Sequence, residues 1–204
     1  MKEKPNPFVS ISDLMAGVTA VVMLLLVVMV VKMSVMKQAA EEEKRQGVQE
    51  TIAMIDSKLQ AANIKSVGVQ DSIITLNDQA FERGSACLNP RVDSVLKQQI
   101  APILSEAMKE HDNIWVQFEG HTDAVDVHGV SANVAKKCAV FDDNYSLSAG
   151  RAREARKAVL STVQGDANIS RRISVVGYGP DQLKNQADPE AAENRRVEIR
   201  LVTR

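Results

Sequence analysis

Eighteen consecutive residues, Leu14–Val31, carry no charge, and widening the window to Phe8–Val31 adds only Asp13. At about 1.5 Å of rise per residue the uncharged run alone reaches roughly 27 Å as a helix, close to the hydrocarbon thickness of a bilayer. A cleaved signal peptide has an apolar region of about 7–15 residues ending at a small-x-small site. This run is longer and leads into Lys32-Met33-Ser34 instead. A helix that packs one face on a soluble domain keeps a polar stripe, and this run is apolar on every face. The run is therefore expected to be a single transmembrane helix over residues 8–33, preceded by a tail at 1–7. Lys2 and Lys4 precede it while Lys32 and Lys37 follow it, so flanking charge leaves its orientation open.

The rest of the chain is ordinary. The 204 residues are 45% hydrophobic and 25% charged with a net charge of −1, which excludes disorder and gives no basic excess for nucleic acid. Two cysteines exclude a zinc ribbon and a disulfide-dense mini-protein. No nucleophile–base arrangement, phosphate loop or metal cluster is visible, so neither an enzyme nor a bound cofactor or metal is expected.

Asp13 carries two readings. Ser10-Ile11-Ser12-Asp13 has capping-box form, which would leave Asp13 as a helix cap at the membrane surface. On a helical wheel, Ala16, Gly17, Ala20, Leu24 and Val27 share its face. Small residues let helices approach closely, and a carboxyl hidden there has a raised pKa and can load and unload a proton.

From Lys37 to Ile64 the chain is polar and helix-prone. Val48, Ile52, Ile55, Leu59 and Ala62 recur at 4-3-4-3 spacing. This seam fits a short coiled coil or an amphipathic helix resting on the next domain. The segment 34–63 is read as a helical linker, and 64–204 as a folded domain long enough to bury a core. In that domain Ser66–Leu76 reads as one or two strands. A helix starts at Asn89-Pro90, and Asn113–Glu119 alternates as a half-buried strand. Tyr145–Gln164 reads as a second helix, with strands at Arg172–Val176 and Arg196–Val202. Strands interleaved with two long helices predict an α/β fold, an α+β sandwich with one sheet face covered.

Four motifs then stand in order: Gly120-His121-Thr122-Asp123 after a strand, Asn144-Tyr145-Ser146-Leu147-Ser148-Ala149-Gly150-Arg151-Ala152 opening a helix, Gly177-Tyr178-Gly179 ending a strand, and Asn194-Arg195-Arg196-Val197-Glu198-Ile199 opening the last one. Together they resemble the OmpA-like peptidoglycan-binding domain over roughly residues 73–202. The resemblance implies binding of the peptidoglycan stem peptide at its diaminopimelate group, by Asp123 and Arg151 with Thr122, Asn144 and Leu147 beside them. Diaminopimelate presents an ammonium and a carboxylate on one carbon, which a carboxylate and a forked guanidinium complement. The helix N-terminus at Asn144 would add N–H donors, unless Asn144 is only an N-cap. Arg195 and Arg196 read as structural, with one arm near the site. His121 reads as a packing or hydrogen-bonding residue rather than a metal ligand, and Asp142-Asp143 as a solvated loop or helix start.

The chain departs from this family between the first two motifs, where Ala124–Asp143 is 20 residues long and carries Asp126, His128, Gly129 and Cys138. Cys87 is the other cysteine, and an even count in an exported domain suggests one disulfide. Two buried thiols are the alternative.

A peptidoglycan-binding domain implies a periplasmic C-terminal part, hence an inner-membrane, single-pass chain with a cytoplasmic N-terminus. In that setting Ser12-Asp13-Leu14-Met15 before the apolar run resembles the MotB family. The aspartate at the start of its only transmembrane helix carries the proton of an ion-driven motor. The resemblance implies a homodimer within a ring of five MotA-like multi-span subunits, with Asp13 as the ion-translocating residue. Leu14–Val31 lacks the aromatics of flagellar MotB, and Met33–Gln46 is no clear amphipathic plug. That leans toward a non-flagellar motor such as the one containing the ZorB subunit of Zorya anti-phage systems, whose partner would be ZorA-like. The rival reading is a static membrane-to-wall tether in which Asp13 is a cap.

Overall fold

The computed structural model describes residues 7–63, 65–70, 72–82, 84–127, 138, 141–163 and 166–203. The chain divides into two compact units, Met1–Lys44 and Arg45–Arg204.

The first unit is helical. Helix α1 runs Pro7–Ala62, so the second unit contains its C-terminal part. Proline is well placed at the first helical position, where its missing N–H has no partner to lose. Because α1 starts there, Ser10 and Asp13 both fall within the helical span. From Ile11 through Val31 every side chain is exposed in the isolated chain, the apolar ones included, which is the surface a bilayer would cover. The one hydroxyl within the uncharged run, Thr19, donates to the carbonyls of Met15 and Ala16 and so hides its polarity on its own helix.

In the second unit, strand β1 (Val67–Gln70) turns back into β2 (Ile73–Asn77), with Ser72 at positive φ in the turn. Next come α2 (Pro90–Val95), a π-helical stretch at Leu96–Ile100, and α3 (Ala101–Glu110). Pro102 explains the interruption. It has no N–H for the carbonyl of residue 98 and its ring crowds that carbonyl, so the ladder widens and Ala101 N–H reaches Leu96 O. Strand β3 (Ile114–His121), helix α4 (Asn144–Leu160), the short α5 (Ala167–Arg171), β4 (Ile173–Gly177) and β5 (Arg196–Thr203) complete the unit.

The sheet order is β1-β2-β5-β3-β4. Only β3 and β4 are parallel, and α4 lies in the connection between them. Register follows the alternation: Phe118 faces Ile199 and Val116 faces Leu201, while Glu119 stands opposite Glu198 on the other face. Ile74, Leu76, Ile114, Val116, Phe118, Val197 and Ile199 meet Leu96, Ile100, Leu104 and Met108 and the α4 residues Ala152, Ala155 and Val159 in one core. The predicted sandwich is thus the fold found.

The compact unit begins at Arg45 rather than at 64. Ile52, Ile55 and Leu59 are buried in its core, with Val48 packed at the margin. The seam residues Ile52, Ile55 and Leu59 thus pack on the domain's own core, as an amphipathic helix resting on that domain does.

Candidate functional site

Two glycines bring the site together. A Cβ on Gly120 would stand 1.9 Å from Ser148 O, and one on Gly177 would stand 2.7 Å from Ala149 N. Only a bare backbone at the ends of β3 and β4 lets the first turns of α4 lie this close. Ser148 Oγ then accepts from Gly179 N at 3.0 Å, and Thr122 N donates to Gly179 O at 2.9 Å. The three motifs are thereby tied into one corner, with Thr122 and Asp123 at the strand end and Arg151 two turns along α4.

The corner opens as a cleft of about 410 Å³ lined by Asp78, Thr122, Asp123, Asn144, Arg151 and Arg195, with Gly84, Val125, Val127 and Leu147 as neighbours. All five predicted ligand residues lie on it. Asp123 and Arg151 do not pair with each other. Arg195 Nη1 donates to Asp123 Oδ2 at 2.5 Å, and its Nε lies 3.3 Å from Asp78 Oδ2. Arg151 Nη2 lies 3.4 Å from Asp78 Oδ1, and its Nε donates to Ser85 O at 3.1 Å. Burial lowers the Arg151 pKa, partly offset by Asp78. Burial also pulls on Arg195, but the Asp123 hydrogen bond and the Asp78 charge outweigh it, and its pKa rises.

Two carboxylates and two guanidinium groups alternate around the cleft, so its charge is balanced in the manner that suits a zwitterion. Arg151 Nη1 and Thr122 Oγ1 are buried without a hydrogen-bond partner among the described residues. Such donors ask for an acceptor, because a buried polar group without one costs about 1–3 kcal/mol. Val125, Val127 and Leu147 supply an apolar wall for a methylene chain.

Several expectations change in detail. Asn144 is not the N-cap. Asp143 is, its carboxylate accepting from Ser146 N at 2.6 Å, and that bond holds the Asp143 pKa below the usual carboxylate range. Asn144 Nδ2 instead donates to Val125 O and pins the start of the 124–143 segment. Arg195 and Arg196 part company: Arg195 belongs to the cleft, and Arg196 donates to Glu198 Oε1 at 2.6 Å. Asp78 went unread in the sequence; a lone aspartate after an apolar run carries no signal of its own. Cys87 and Cys138 are joined by a disulfide. His128 and Gly129 lie outside the described residues, and Asp126 is exposed.

His121 is fully buried and stacks on Tyr178, with ring centroids 5.3 Å apart. With Glu119 and Glu198 it forms a trio whose ligand-type atoms lie within 4.8 Å of one another. Both carboxylates are already engaged. Arg200 reaches Glu119 Oε2 at 2.8 Å and Glu198 Oε2 at 2.5 Å, and Arg196 holds Glu198 from the other side. Two guanidinium groups against two carboxylates make an ionic ladder on the second sheet face, and they oppose a divalent cation there.

The chain's fold is similar to that of several solved structures. A MotB-like protein from Desulfovibrio vulgaris superposes with a TM-score of 0.52 at 26% identity, over 80% of this chain and 96% of that one. The periplasmic domain of Helicobacter pylori MotB gives 0.46 at 22%, covering 67% and 80%. The OmpA-like domain of FopA1 from Francisella tularensis gives 0.40 at 17%, covering 67% and 79%. In sequence the chain is 29% identical over 128 residues, 63% of its length, to a truncated flagellar export/assembly protein LafU of Escherichia coli (strain K12). It spans 52% of that relative and 36% of a second LafU protein. No family model matches the chain.

Proposed function

We propose that the chain is the wall-anchored subunit of a proton-driven motor in the bacterial inner membrane. The observation that carries the anchoring half is the convergence of Asp123, Arg151, Thr122, Asn144 and Leu147 on one charge-balanced cleft with unpartnered buried donors. That cleft suits the zwitterionic end of diaminopimelate in a peptidoglycan stem: Asp123 and Asp78 take the ammonium, and Arg151 and Arg195 the carboxylate. The resemblance to MotB and the likeness to a MotB-like structure support the motor half. Asp13, the only charge between Phe8 and Val31, is the group to carry the proton.

In this reading the N-terminus is cytoplasmic and the second unit periplasmic. Two copies of α1 sit within five MotA-like or ZorA-like multi-span subunits. No catalytic step is assigned to the chain. The absence of aromatics in Leu14–Val31 favours a non-flagellar motor of the Zorya type, although the similarity to LafU draws the other way. A static tether shares the cleft but has no use for Asp13.

The anchoring test is co-sedimentation of the full chain, in detergent, with purified sacculi. Wild type pellets, and Asp123→Ala and Arg151→Ala remain in solution while folded. Normal pelleting of both variants contradicts the assignment of the cleft. Co-purification with the product of a neighbouring multi-span gene, at five partners to two copies, tests the assembly.

A further inference from the structure

We propose that the Cys87–Cys138 disulfide is the positioning element for Arg151, so that ligand binding in the cleft depends on this bond beyond its contribution to stability. The proposal rests on the reading of the cleft as a ligand site.

Arg151 reaches from α4 to a neighbouring loop, beside which Gly150 also lies close to Ala86. Its Nε donates to Ser85 O, and its guanidinium carbon stands 5.3 Å from the centroid of the Phe81 ring. The described residues 81–82 and 84–88 belong to that loop. Its neck is the bridge between Phe81 and Leu88, and inside it Glu82 N donates to Cys87 O at 2.8 Å and Ser85 N to Glu82 O at 3.1 Å. Cys87 N in turn donates to Ser85 Oγ at 3.1 Å. Ser85, Ala86 and Cys87 are buried although they belong to no helix or strand.

Beyond the neck, residue 138 holds this loop. The disulfide joins it to Cys87 across 51 residues of sequence, and Ala86 N donates to Cys138 O at 2.9 Å. Both attachments fall on the two residues that follow Ser85. The carbonyl that orients Arg151 is thereby held next to two attachments to residue 138, in addition to the neck. A guanidinium fork recognises a carboxylate only when its plane is held within about 10–20°. The Ser85 carbonyl at Nε and the Phe81 ring, both from this loop, hold that plane together with Asp78 at Nη2, and Nη1 is left buried without a hydrogen-bond partner among the described residues. The sulfurs border a separate cleft of about 540 Å³ with Lys97, Glu154 and Lys157, which gives a soluble phosphine a route to the bond.

The test uses the full chain in detergent and a soluble diaminopimelate-containing stem tripeptide. The Cys87→Ser/Cys138→Ser double variant is expected to bind the tripeptide at least tenfold more weakly than wild type, with an unchanged far-UV circular dichroism spectrum. Arg151→Lys is expected to lower affinity strongly in the wild type and much less in the double-serine background. A bond that only stabilises the fold gives additive losses, and additivity overturns the proposal, as does equal binding by the two forms. The Arg151 Nε–H resonance provides a reading that needs no ligand: phosphine reduction is expected to shift or broaden it while the backbone spectrum stays dispersed. An unmoved resonance, or collapse of the whole spectrum, overturns the proposal. Failure of the wild type to bind the tripeptide sinks the reading of the cleft instead, and the resonance still decides the role of the bond.

Discussion

At the residue scale, the cleft and the ladder show how charge is accommodated where water is scarce. Arg151 is 3% exposed, so its charge is tolerable only with Asp78 beside it. Asp78 also holds Arg195, and removing its charge takes one partner from both arginines at once. Asp78→Asn should therefore weaken tripeptide binding by roughly tenfold, the value of one charge-assisted contact, measured by titration calorimetry. Unchanged affinity would remove Asp78 from the site. His121 makes the complementary case. Burial, reinforced by Arg196, pushes its imidazole pKa down to about 4. The unfolded chain takes that proton near pH 6.5, so the native state is favoured in full above about 6.5 and loses this advantage as pH falls toward 4. A shift of that size corresponds to about 3 kcal/mol. Glu198, held down by Arg196 against the pull of burial, adds loss in the same direction, and Glu119, raised by burial, opposes it. His121→Phe keeps the stack on Tyr178 and removes the titration. Urea midpoints of that variant should fall much less between pH 6.5 and 4 than those of wild type.

At the scale of elements, two features decide the architecture. One is the close approach of α4 to the ends of β3 and β4. Gly120→Ala puts a methyl group into Ser148 O, and the helix must back away. A loss of about 3 kcal/mol is expected from such overpacking, together with loss of sacculus binding, because Arg151 moves with the helix. The other is the end of α1. Ile55→Ala should cost about 2–5 kcal/mol, as buried aliphatic truncations do, whereas Met54→Ala, on the exposed side, should be close to neutral. Equal, small effects would return the seam to a partner helix. This seam marks a limit of sequence reading. A 4-3-4-3 stripe declares that one face of a helix is buried, and the same stripe serves a second helix or a sheet. Strands β3 and β5 were legible because alternation has one structural meaning, and the four motifs because they stand in order. Asp78 was not legible, nor which of Arg195 and Arg196 reaches the cleft. The partners of Asp78 and Arg195 lie 72 or more residues apart in the chain, at Arg151 and Asp123, and no local pattern reports such pairing.

At the scale of the whole molecule, one chain joins a segment suited to lipid with a domain whose cleft balances two carboxylates against two guanidinium groups, and in the proposed function each half depends on a different charge. A carboxylate inside a bilayer costs about 2.5–3.5 kcal/mol at the centre and less toward an end. A chain that only needed an anchor would do better with an apolar residue at 13 than with an acid whose helical face carries Ala16, Gly17 and Ala20. Asp13→Asn keeps the size and polarity of the side chain and removes its proton. In the motor reading this variant inserts, assembles and sediments with sacculi as wild type does, yet abolishes the process the motor drives. Asp13→Glu, which can still titrate, retains part of it. Asp123→Ala gives the converse result, a chain with its proton-carrying residue intact and no hold on the wall. The two losses separate only if the halves do different work. An Asp13→Asn chain that supports full function would leave a static tether as the role of this protein, with the cleft unchanged and the acid at residue 13 without a task.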